Sequence, residues 1–248
     1  MKLITINIEG VKHLETVIPF ISTELPDVLC LQEVCDFDIV KFETLGYTMQ
    51  FVPATMRGTP KVHEEGIALG IRNKTCLMHS TRTYYLIDQS GSICKYSKSI
   101  PDYGFNNPCL MADISCDSGT FRIGTTHFVW TPHGPTPTDS QRHAMDTLFG
   151  YMHHEGSHVL CGDFNIPRNL NPLYDILIKK YTDTIPEKYH SSLDANLHRF
   201  GHSPDFRELF TSYMVDYILT KPPFVATDVR LVSGISDHMA VVATISTH

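Results

Sequence analysis

Three short stretches carry side chains able to do chemistry: Gln32-Glu33, Asp163-Phe164-Asn165 and Ser236-Asp237-His238. Each borders an apolar run, VLCLQEV (28–34), VLCGDFN (159–165) and MAVVATI (239–245). Carboxylates in such places can gather around a divalent cation, and imidazoles can move protons. In VLCGDFNIPR, Gly162 lets the backbone turn, and Asp163 and Asn165 arrive side by side where the strand runs out. Pro167 then blocks further strand pairing. Asn7 closes the run at 2–8, and His127 closes TTHF. Asp216 lies inside the apolar run MVDYIL, where a carboxylate requires a partner; His238 is the partner expected. Taken one at a time, each has a plainer explanation. Gly-Asp-x-Asn makes ordinary turns, Glu33 suits the first turn of a helix, and an isolated His is more often a core residue. Six polar positions at the mouths of apolar strands outweigh six separate coincidences.

The elements that must position these groups follow from periodicity. Strands are expected at 2–8, 28–34, 47–52, 67–71 and 75–87, with a hairpin of 109–115 and 121–128 joined across Asp117-Ser118-Gly119. Further strands are expected at 157–161, 213–219, 225–232 and 239–245. Val11, Leu14, Val17, Ile18 and Ile21 have the spacing of one buried helical face, placing a helix at 11–24. A short helical segment is expected at 36–44, one at 172–180, and a helix at 140–153 capped by Thr138 or Asp139. Residues 53–66 read as a polar loop, 88–108 as an exposed excursion and 168–212 as largely irregular. Many strands and few helices, not in strict alternation, disfavour a doubly wound parallel sheet. They favour an α+β or sandwich arrangement with helices outside.

Composition bounds the function. The 248 residues show no repeat and no linker-like stretch, so a single domain spanning 1–248 is expected. The net charge of −7 argues against a protein that coats nucleic acid regardless of sequence. It permits an enzyme that collects carboxylates around a metal, because bound metal reverses the local sign. Seven cysteines with no CxxC pair read as reduced thiols in a reducing compartment, and the cytoplasm is the expected location. LITINIEG reads as a strand rather than a signal peptide, and no apolar run is long enough to cross a membrane.

The order Asn…QE…H…GDFN…D…SDH resembles the endonuclease/exonuclease/phosphatase superfamily, with the likeness running from Asn7 to His238. The resemblance implies a four-layer α/β sandwich, two central mixed β-sheets packed face to face with helices outside, and a site at one end of the sheets. It implies phosphodiester hydrolysis with Mg²⁺, or Mn²⁺ in its place, held by Glu33 with Asn7 or Asp237. Asp163 is then the group that positions or deprotonates the attacking water, and Asn165 fixes it and donates to a phosphate oxygen. His238, held by Asp216, would sit over the scissile phosphate, and His127 would stabilise its charge or protonate the leaving group. Asp237 has a second option, orienting His127.

LQEV, GDFN and SDH identify the superfamily and are weak for any branch. His127 followed by Phe128 and Trp130 looks more like the deoxyribonuclease I and tyrosyl-DNA phosphodiesterase branches. The Tyr-Pro-Asn stretch usual in the abasic-site branch is absent. Tyr103 and Trp130 are candidates to stack on bases, and Arg57 and Arg168 to touch phosphates. The function expected is a metal-dependent phosphodiesterase acting on nucleic acid, most readily DNA, as a monomer. The alternatives are a tyrosyl-DNA phosphodiesterase-like repair enzyme and a phosphatase or phosphodiesterase of a small molecule or lipid headgroup. A non-catalytic binding module is disfavoured by the complete residue set. On this reading His238→Ala abolishes turnover and leaves the melting temperature nearly unchanged.

Overall fold

The computed structural model describes residues 1–99 and 104–247. Among them are two mixed six-stranded sheets. The first contains β1 (Lys2–Asn7), β2 (Val28–Cys35), β3 (Tyr47–Arg57), β4 (His63–Arg72), β11 (Phe224–Val232) and β12 (Ala240–Thr247), in the order β11-β12-β1-β2-β4-β3. The second contains β5 (Cys76–Tyr85), β6 (Pro108–Cys116), β7 (Gly119–His127), β8 (Val159–Asp163), β9 (Thr182–Asp183) and β10 (Asp216–Thr220), in the order β5-β6-β7-β8-β10-β9. Each sheet has one parallel pair at its centre, β1–β2 in the first and β7–β8 in the second. Helix α1 (Leu14–Glu24) connects the first pair and α3 (Asp139–His154) the second. The other strand pairings within the two sheets are antiparallel.

This arrangement explains why the site lies at one edge. The carboxyl ends of β1, β2, β7 and β8 carry Asn7, Glu33, His127 and Asp163. Neighbouring strands run the other way, so their amino ends reach the same edge, bringing Glu65 on β4, Asp216 on β10 and Ser236–His238 before β12.

The alternation of each strand sorts its side chains into layers. Ile4, Ile6, Leu29 and Leu31 form one buried cluster with Leu14, Val17 and Ile21 of α1 and Phe42 of α2 (Ile39–Thr44). The opposite face, with Leu3, Val28, Cys30 and Leu69, joins the larger core. There it meets the second sheet, and the same core takes in Ala144, Met145, Leu148 and Met152 of α3 and Leu173 and Leu177 of α4 (Pro172–Ile178). Thr138 caps α3 in a reciprocal box with Gln141, one of the two caps the sequence allowed.

Four expectations need correction. The helix assigned to 11–24 begins at Leu14, because Glu9 (φ 49°) and Gly10 (φ 64°) turn the chain first, and Val11 is exposed. The polar loop at 53–66 is mostly a hairpin: β3 continues to Arg57 and β4 starts at His63, pairing Thr55 with Glu65 and Arg57 with His63. Pro53 is tolerated because β3 is an edge strand with a bulge between Pro53 and Thr55. Asp216 opens β10 and does not sit inside it. Finally, the cysteines are not all thiols. Cys76 and Cys116 form a disulfide across β5 and β6, leaving Cys30, Cys35, Cys94, Cys109 and Cys161 free. Spacing along the chain hides this pair, 40 residues apart, which hairpin register sets opposite each other. Among the described residues no helix is long and apolar enough to cross a membrane.

One buried histidine makes stability depend on acid. His158, just before β8, is fully buried and bonds the Gly156 carbonyl and the Tyr181 hydroxyl. Burial, then the Lys221 charge, pushes its pKa down to about 4. The unfolded chain therefore takes the proton first, and stability falls as pH drops from about 6.5 to 4 by roughly 3 kcal/mol from this group. Urea titrations across that window should show a shallower loss for His158→Gln; an unchanged slope would refute the assignment.

Candidate active site

Asp163 is the centre of the site. It is 1% exposed and ends β8. Its Oδ1 accepts the Asn165 backbone N–H at 2.9 Å, and its Oδ2 accepts Asn7 Nδ2 at 3.1 Å. The same Oδ2 lies 3.5 Å from His127 Nε2 and 3.8 Å from His238 Nε2. One carboxylate oxygen thus faces two imidazoles and an amide drawn from both sheets. Gly162 is required beside it: its φ is 132°, and a Cβ there would lie 2.0 Å from the Thr126 carbonyl oxygen.

His238 is fixed from behind. Its Nδ1 lies 2.8 Å from Asp216 Oδ2, the pairing expected from the sequence. Asp216 Oδ2 also accepts the Ser192 hydroxyl at 2.6 Å, while Ser192 Oγ accepts the N–H groups of Val215 and Asp216. Burial alone would push the His238 pKa down, but the carboxylates of Asp216, Asp163 and Asp237 hold it well above the ordinary value. Those charges favour the protonated ring, whose Nε2 is turned toward Asp163. Ser192 was invisible in the sequence, because it belongs to the irregular stretch after Arg168 and is placed only by tertiary folding.

A second group is mainly acidic. Glu33 Oε1 accepts Asn7 Nδ2 at 3.2 Å and lies 3.9 Å from His127 Nε2. Asp237 is pushed up to about 6 by burial and by the charges of Glu9 and Glu33, with His238 opposing. Glu65 is pushed up to about 7 by burial and the Glu33 charge, against the pull of Arg57. Glu9 and Glu65 were missed, Glu9 because it lies in a turn and Glu65 because its strand read as a loop. Glu9, Glu33 and Asn165 all hold left-handed backbone conformations. Such strain, of order 1–3 kcal/mol each, gathers at functional sites.

The charges of Glu9 and Glu33 both bear on Asp237, and these three acids offer the hard oxygen donors that would hold a divalent cation. Asn7, the other expected ligand, is held within this cluster. Its Nδ2 bridges Glu33 and Asp163, and its oxygen accepts the Glu9 N–H at 3.1 Å. Asn165 is partly committed as well, donating from Nδ2 to the Phe128 carbonyl at 3.0 Å.

The expected substrate contacts fare differently. Arg168 binds Asp183 Oδ2 at 2.6 Å and the Ile185 carbonyl at 3.0 Å, with its side chain 11% exposed. It is a structural ion pair and not a phosphate contact. Arg57 does reach the site wall: it bonds Glu65 at 2.6 Å and stacks on Tyr96 and Phe105. Phe105, in turn, approaches the His127 ring edge-on at 6.4 Å between centroids. Trp130 is 44% exposed just beyond β7. Tyr103 lies outside the described residues.

The model of the Endonuclease/Exonuclease/phosphatase family matches residues 4–238. No curated protein matches the sequence. Among solved structures, the human nocturnin catalytic domain with bound sulfate is similar at 18% identity and a TM-score of 0.71, covering 100% of this chain and 93% of that one. A mannosyl-6-phosphatase of Bacteroides thetaiotaomicron is similar at 14% identity and a TM-score of 0.68, covering 99% of each chain. ANGEL2, a 2′,3′-cyclic phosphatase in complex with adenosine-2′,3′-vanadate, is similar at 15% identity and a TM-score of 0.66, covering 98% of this chain and 94% of that one. At these identities the structures establish a shared fold, and none of them selects a branch of the family.

Proposed function

The chain belongs to the endonuclease/exonuclease/phosphatase family, and from that premise we propose that it is a divalent-cation-dependent hydrolase of small or terminal phosphate esters. The observation that carries this reading is the meeting of Asp163 Oδ2 with His127, His238 and Asn7. Asp163 accepts a proton from the attacking water, and the Asn165 backbone N–H and Asn7 hold the carboxylate in place. The His238 imidazolium, kept protonated by Asp216, faces a phosphate oxygen with Nε2. His127 opposes it and donates to another phosphate oxygen or to the leaving group. Asn165 Nδ2, which gives one hydrogen to the Phe128 carbonyl, has a second to donate to the phosphate. Glu33, Asp237 and Glu9 would hold the cation, Mg²⁺ or Mn²⁺, which when bound neutralises charge and polarises the phosphoryl group. Each proton-transfer role contributes about 10²–10⁴-fold.

Three observations favour a small or terminal ester over the interior of a long DNA. The net charge is −7, Arg168 is buried in a pair with Asp183, and Arg57 is neutralised by Glu65. A protein tracking polynucleotide needs several uncommitted cations to displace counterions. DNA cleavage stays as a second reading because Phe105 and Trp130 offer aromatic faces near the mouth.

A hydrolysis panel tests both readings. It compares a sugar phosphate, a nucleoside 2′,3′-cyclic phosphate, a 5′-phosphotyrosyl oligonucleotide, duplex DNA, RNA and a phosphoinositide, each with EDTA and with Asp163→Ala. The small or terminal esters should be cleaved fastest, and both controls should remove the activity. Faster internal cleavage of duplex DNA would install the second reading, and activity surviving both controls would overturn the mechanism.

A further inference from the structure

Glu9, His13 and Asp237 meet beside the acids just described, where α1 begins. One ligating atom from each lies within 4.8 Å of the other two. His13 Nε2 and Glu9 Oε2 are 3.0 Å apart. Two donors at right angles around an ion, each at about 2.1 Å, are separated by about 3.0 Å. The other oxygen of Glu9, Oε1, pairs with Lys12. Asp237 supplies the third donor from the loop before β12 and is 6% exposed.

A simple Glu–His pair at the start of a helix accounts for this less well. Such pairs add little to stability. Glu9 holds a left-handed conformation (φ 49°) to reach its position, which strains a residue with a Cβ. The pair also leaves unexplained why a buried carboxylate, Asp237, is brought to the same point. Nor does His13 serve α1 as a cap: it occupies the N-cap position with no side-chain capping bond. Its backbone carbonyl accepts the N–H groups of Thr16 and Val17, which any residue could do.

We propose that His13 Nε2, Glu9 and Asp237 form a mixed nitrogen–oxygen cation position, so that the ion this protein retains is a first-row transition ion, with Mn²⁺ preferred over Mg²⁺. The proposal rests on the reading of the protein as a cation-dependent phosphoesterase and narrows the identity of its ion. The chemistry follows from the donor set. Mg²⁺ takes oxygen ligands and gives up water reluctantly, whereas imidazole suits the transition ions. A site made only of Glu33, Glu9 and Asp237 would not discriminate in that direction; the imidazole introduces the preference.

Isothermal titration of the metal-stripped full chain with Mn²⁺ and with Mg²⁺ tests this, alongside pulsed EPR of the Mn²⁺-loaded protein. The wild type should bind Mn²⁺ at least about tenfold more tightly than Mg²⁺ and show ¹⁴N modulation from a bound imidazole. In His13→Ala the nitrogen signal should disappear and the Mn²⁺ affinity fall about tenfold, with Mg²⁺ affinity changing less than about threefold. His13→Gln, which keeps a polar side chain near Glu9, should behave like His13→Ala. Melting curves within a few degrees of wild type would confirm that both variants fold. Undiminished Mn²⁺ affinity in the two variants, or a nitrogen signal that survives in them, overturns the proposal and leaves the phosphoesterase reading standing. Hydrolysis that continues undiminished in EDTA overturns the phosphoesterase reading as a cation-dependent one, whatever the variants do.

Discussion

Replacing His238 by alanine is expected to lower kcat by about 10³-fold or more and also to destabilise the fold by several kcal/mol. The first effect follows from losing the cation that faces Asp163 Oδ2. The second comes from Asp216, which is 1% exposed and loses its imidazolium while its other oxygen, Oδ1, already lacks a hydrogen-bond partner. Removing one member of a buried pair typically costs about 3–5 kcal/mol. The sequence alone led to the opposite expectation, an unmoved melting temperature, because it could not show how deeply the pair is buried. A double variant separates the two effects. Asp216→Ala with His238→Ala should regain part of the lost stability, since no unpaired acid remains, and regain no activity. Denaturant titrations and kcat for the single and double variants are the measurements. A single variant as stable as wild type, or one retaining its kcat, would contradict the arrangement.

Arg168→Ala should give the reverse profile, a large loss of stability with chemistry intact. Its guanidinium and the Asp183 carboxylate are nearly closed off from solvent, and Asp183 also binds the Tyr174 hydroxyl. Breaking such a pair costs about 3–5 kcal/mol, which in a chain of this size lowers Tm by roughly 10 °C. At temperatures well below the new midpoint, kcat and KM should stay within about twofold of wild type, as expected for a substitution outside the catalytic contacts. A KM raised tenfold or more with unchanged Tm would restore Arg168 as a phosphate contact.

These two residues mark where sequence reasoning reaches and where it stops. Asp216 and His238 were paired from the sequence because an acid beside buried apolar residues is anomalous, and the anomaly names the kind of partner it needs. The strand ends at Asn7, Glu33, His127 and Asp163 were visible for the same reason, and the fold brings them to one edge. Arg168 follows the GDFN stretch closely, yet its direction depends on Asp183, which only the packing of α4 and β9 places nearby. Glu65 was hidden because the polar ends of the β3–β4 hairpin look like loop, and the same reading left Arg57 without its partner. Ser192 and the Cys76–Cys116 bond depend on register and long-range folding, which local spacing does not encode. The sandwich itself came from family resemblance, since strand periodicity leaves strand order undetermined.

Gln32 connects these observations. It lies directly before Glu33 on β2, is fully buried, and donates to Thr5 Oγ1 on β1 and to Thr125 Oγ1 on β7, both at 3.1 Å. Its amide therefore ties the first sheet to the second immediately beneath the site. Glu33 comes from one sheet and Asp163 from the other, so the distance between them is set by how the two layers rest on each other. That makes the site's spacing a property of the interior, as the gap of a clamp depends on its hinge. The tolerance for reaching a phosphate is then inherited from the inter-sheet core, with Gln32 as its polar rivet.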